Sequence, residues 1–78
     1  MEVKLFQKTQ RDLASCINEV IDRYWQNEMD EDAMIRTIKK LYAINQAKMV
    51  KDGQYTTVIR QQCGKNRLAV VDTVLNMK

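Results

Sequence analysis

Histidine is absent from this 78-residue chain. With it go the commonest general base at neutral pH, the commonest transition-metal ligand and the usual activator of a serine or cysteine nucleophile. Proline is absent too, and glycine occurs only at Gly53 and Gly64, so little interrupts a composition suited to helices. The two cysteines, Cys16 and Cys63, form no CxxC pair. They are too few for a disulfide framework and fit reduced thiols in a cytosolic protein. No apolar run approaches the roughly 18 residues of a membrane span, and Glu2 stands where a signal peptide would carry cations. These absences lead us to expect a cytoplasmic, non-enzymatic protein with no cofactor, no metal and no membrane partner.

A chain of this length forms one domain, taken here as residues 1–78, and a domain so small removes only about 60 to 65% of its unfolded surface from water. Self-association would add to that marginal burial. The net charge of +3 conceals a division between halves. Residues 1–32 carry four cations against eight acids, whereas the remaining residues carry nine cations against Asp52 and Asp72. Such asymmetry suits an acidic protein or nucleic acid as partner, or charges placed along helix dipoles.

Hydrophobic periodicity predicts an all-α fold: a small bundle of three long helices plus a short helix, preceded by an extended N-terminal arm. Thr9 caps the first helix by reaching the Asp12 amide. Leu13, Cys16, Ile17, Val20, Ile21 and Tyr24 share its apolar face, with Trp25 at the border of that stripe. The arm "EVKLF" either packs Leu5 or Phe6 on the helices or pairs with a second subunit. The second helix starts near Asp30, has Glu31 and Asp32 in its first turn and Lys48 and Lys51 in its last, and stops at Gly53. Met34, Ile38, Leu41, Asn45 and Lys48 mark its seam, so Asn45 stands where an apolar residue is expected. A polar residue there is a device for fixing helix register in an oligomer. Thr56 or Thr57 caps a short third helix of about seven residues, with Val58, Ile59 and Cys63 inward and Gly64 closing it. A fourth helix from about Asn66 carries Leu68, Val70, Val71, Val74 and Leu75, an arc too broad for one contact and so suited to the centre of the bundle or to a subunit interface.

Three motifs fail on inspection. The pair Gly64-Lys65 evokes a phosphate-binding loop, but Ile59 and Asn66 stand where that loop needs glycine and a hydroxyl residue. The run "EMDED", started at Asp30, places Met34, Ile35 and Leu41 at positions where a calcium loop needs an oxygen ligand, glycine and glutamate. Cys63 has Arg60, Lys65 and Arg67 near in sequence, which would favour a thiolate if they were near in space; a buried small residue on the inner face is the plainer reading.

Two functional readings remain. Surplus apolar surface predicts an interaction or regulatory module, homodimeric, with Trp25, Tyr55, Val70 and Val74 as interface residues. The alternative is a nucleic-acid-binding regulator. Residues 56–75 have the length of a helix-turn-helix unit with Gly64 in the turn, although Lys65 and Arg60 occupy places that are usually apolar and small. Arg36, Lys40, Lys51, Arg60, Lys65 and Arg67 would supply its phosphate contacts. The stretches "KLFQKTQRDLASCINEVIDRYW" and "DGQYTTVIRQQCGKNRLAVVD" resemble those of a family of short uncharacterised proteins from low-GC Gram-positive bacteria. That resemblance spans nearly the whole chain and implies no activity, cofactor or site.

Overall fold

A computed structural model of the chain describes residues 5–75. Among these the order of elements is α1 (Gln10–Trp25), α2 (Glu31–Met49), β1 (Val50–Lys51), β2 (Gln54–Tyr55) and α3 (Thr57–Leu75). The beginning of the expected arm, residues 2–4, lies outside the described residues.

Helix α1 starts as its sequence dictates, with the Asp12 amide donating to Thr9 Oγ1 at 3.0 Å. Its end is closed by a residue other than glycine. Asn27 adopts φ 61°, and the Asn27 and Glu28 amides donate to the Tyr24 and Arg23 carbonyls at 3.1 and 2.8 Å. This is the paired bonding of a Schellman motif, with asparagine in the left-handed position. Asp30 then caps α2, accepting from the Ala33 amide at 2.7 Å. The short turn between these caps folds α2 back along α1. Leu13, Ile17 and Ile21 of α1, Ile38 and Leu41 of α2, and Ile59 and Val71 of α3 are fully buried together.

The segment after α2 departs from the expectation. The helix stops at Met49 and not at Gly53; residues 50–55 form a small antiparallel hairpin pairing Val50 with Tyr55 and Lys51 with Gln54. Lys51 therefore lies in a strand. Asp52 and Gly53 both have positive φ, 54° and 77°, the combination that a type I′ turn requires and that Asp-Gly favours. The stop at Gly53 was the right punctuation assigned to the wrong element.

The break expected at Gly64 is present, as a kink that joins two helical stretches. Residues 57–75 form the single element α3, interrupted at Gly64 (φ 80°, ψ 170°). That backbone region is essentially glycine's alone. Helical stretches lie on both sides of this kink. Carbonyls just before the break find side-chain donors: Asn18 Nδ2 of α1 reaches the Gln62 carbonyl at 2.9 Å, and Arg67 Nη1 reaches that of Cys63 at 3.3 Å.

Asn45 is 2% exposed, and its partner lies within the chain. Its Nδ2 donates to the Leu5 carbonyl at 2.6 Å and the Leu41 carbonyl at 2.9 Å, while its Oδ1 accepts from the Gln7 amide at 3.0 Å. The side-chain amide thus pairs with the arm as a neighbouring strand would. Leu5 packs against the core, and Lys48 Nζ lies 4.8 Å from the centre of the exposed Phe6 ring. The Asn45 backbone leaves helical geometry (φ −117°, ψ 27°) where this clamp forms. Among the described residues, no helix is long and apolar enough to cross a membrane.

Candidate interaction groove

The turn through Asn27 and Asp30 brings the end of α1 beside the first turns of α2, and the later part of α3 passes both. The three elements enclose an open groove of about 530 Å³. Trp25 forms part of its wall, Met34 and Ile35 come from α2, and Val70 and Val74 come from α3. Glu31 and Lys39 bring opposite charges to the same groove. The broad apolar arc beyond Gly64 explains its existence: of Leu68, Val70, Val71, Val74 and Leu75 only Val71 is fully buried, and Val70 and Val74 are left half-covered. Trp25 is 47% exposed, a large apolar area for a side chain that lies within reach of other apolar groups.

Three of the four residues singled out as interface candidates, Trp25, Val70 and Val74, therefore line one groove. Tyr55 does not line it. Its hydroxyl donates to Asp72 Oδ1, tying the hairpin to α3, and burial, reinforced by that carboxylate, pushes the phenol above its usual range. Ile35, Glu31 and Lys39 were not among the interface candidates. The closeness of Trp25 to Asp30 in sequence is the signal that could have found them, because a short helix–helix turn forces the last turn of one helix against the first of the next.

The cations proposed for phosphate contacts are divided among elements. Arg36 and Lys40 lie on α2, Lys51 on β1, and Arg60 and Lys65 on α3, all exposed. Arg67 is engaged internally. Its Nε and Nη2 each donate to an Asp22 carboxylate oxygen at 3.0 Å, and its guanidinium lies 5.9 Å from the centre of the Trp25 ring. Such a bidentate, stacked arrangement is specific to arginine. It also steadies Trp25 at the lip of the groove. Residues 56–75 lack the three- or four-residue turn that separates the helices of a helix-turn-helix unit.

The thiols take no activated form. Cys63 is buried, with its Sγ 3.8 Å from the Ala14 carbonyl. Burial pushes its pKa up to about 11, against a smaller opposing effect from Arg67. Cys16 is likewise raised, first by burial and then by Glu19. No cluster of three or more histidine, cysteine or carboxylate side chains suited to a metal occurs among the described residues.

No curated protein and no solved structure matches the chain. A family model described as "Conserved hypothetical protein" matches residues 4–76. The chain belongs to that family.

Proposed function

We propose that this protein is a non-enzymatic interaction module that acts as a homodimer and docks through the groove formed by Trp25, Ile35, Val70 and Val74. The observation carrying this reading is the gathering of half-covered apolar side chains from three helices beside an exposed tryptophan. Buried aromatic anchors dominate interface energetics when a partner removes them from water. The exposed cations Arg36, Lys40, Lys51, Arg60 and Lys65 raise the association rate with acidic partners rather than supplying the affinity.

Sedimentation velocity over a range of concentrations tests the reading. The wild-type chain is expected to pass from monomer to dimer, and V70D is expected to stay monomeric while keeping its helical circular dichroism. A V70D chain that dimerises as the wild type does would place the interface elsewhere. Duplex DNA added at low salt is expected to leave the sedimentation of the protein unchanged.

A further inference from the structure

The two charges of the groove are arranged so that the groove complements itself. Glu31 and Lys39 are exposed, and neither makes an ion pair with a charge among the described residues. Both lie on α2, Ile35 lies four residues from each, and all three line the groove. At about 1.5 Å per residue, each charge stands about 6 Å along the helix axis from Ile35, in opposite directions.

We infer that the partner in this groove is a second copy of the chain, related by a two-fold axis passing beside Ile35, so that the two α2 helices run antiparallel and Glu31 of each faces Lys39 of the other. This inference rests on the homodimer reading given above and adds the position of the axis, the orientation of the two copies and the residues that fix it. A two-fold interface must satisfy each contact twice, because residue i meeting residue j obliges j to meet i. A pair of opposite charges placed equally on either side of a central apolar residue meets that condition in the antiparallel arrangement. In a parallel one, Glu31 would face Glu31 and Lys39 would face Lys39.

Shape makes the same demand. A hollow pairs with its own copy only where the patch also bears a projection. Among the residues lining the groove, Trp25 is the one large apolar side chain left as much as 47% exposed. Seated against Val70 and Val74 of the other copy, the two indoles would fill the two hollows. The reciprocal charge pairs at the rim then fix register and orientation, which is the ordinary role of charges around an apolar interface.

Charge reversal in the full chain distinguishes this arrangement from any other dimer. E31K and K39E alter exposed positions, and circular dichroism checks that each variant stays folded. In either variant alone, two attractive pairs become two repulsive ones, and dimer dissociation constants are expected to rise about tenfold or more. In an equimolar mixture, E31K brings cations at both positions and K39E brings carboxylates at both. Pairing one with the other restores both attractions across the axis, and the mixture is expected to dimerise close to the wild-type affinity as a heterodimer. That recovery supports the two-fold. If both single variants dimerise with the wild-type constant, or if the mixture is no tighter than its components, the orientation is overturned while the groove reading stands. If V70D also dimerises normally, the groove reading falls with it. A wild-type chain that stays monomeric at millimolar concentration overturns the second copy as occupant.

Discussion

Asn45 shows how one buried polar side chain decides the course of a segment 38 to 40 residues away in sequence. Its amide supplies both a donor and an acceptor to the arm, so replacement by alanine removes the bonds to the Leu5 carbonyl and the Gln7 amide together. N45A is expected to cost about 1 to 3 kcal/mol in urea unfolding, with faster amide exchange at Gln7 than elsewhere. Equal exchange throughout would mean that the arm is held by Leu5 packing alone. The polar anomaly was legible in the sequence, whereas its partner was not: hydrophobic periodicity locates a seam but is silent on backbone groups that return from a distant segment. Cys63 gives a second residue-scale expectation. Its folded pKa, about 11, lies above the ordinary thiol value of 9.0. Folding therefore favours the protonated thiol, and the stability so gained is intact below about pH 9 and is lost as pH rises toward 11. Tyr55 is raised in the same direction. Stability measured against pH is expected to fall across that interval less steeply in C63A than in the wild type; equal slopes would remove Cys63 as a contributor.

Among the elements, the starts of the two long helices α1 and α2 were legible because each begins with a side-chain cap and continues with an apolar stripe, clean in α1 and broken at Asn45 in α2. Thr9 and Asp30 hold the bonds that their positions imply. The hairpin is not legible because its strands are two residues each and carry no alternation to detect; only Asp52-Gly53 announces it, and a glycine by itself reads equally as a helix stop. The closure of α1 was missed for a related reason, since Asn27 takes a left-handed position more often given to glycine. The pairing of Arg67 with Asp22, 45 residues apart, joins α3 to α1 and could not be read from sequence spacing. R67K is expected to lower stability by up to about 1 kcal/mol, because an ammonium cannot span both carboxylate oxygens and stack on Trp25. Thermal unfolding checks this, and an unchanged midpoint would show that the bidentate geometry adds nothing to a simple charge pair.

At the scale of the whole molecule, a small chain folds three helices around one cluster of apolar side chains and still leaves a hollow lined by others. The breadth of the apolar arc on α3 was visible in the sequence, and so were Trp25, Val70 and Val74. Their meeting in one groove depends on how the α1–α2 turn directs α2, which periodicity does not give. Because Trp25 is the sole tryptophan and stands at the lip of that groove, its fluorescence reports occupancy without interference from another indole. Dilution of the wild-type chain through its dimer dissociation range is predicted to shift the emission to longer wavelength as Trp25 enters water, and V70D is predicted to show the long-wavelength emission at every concentration. Emission that stays constant on dilution while sedimentation records dissociation would contradict the assignment of the groove as the docking surface.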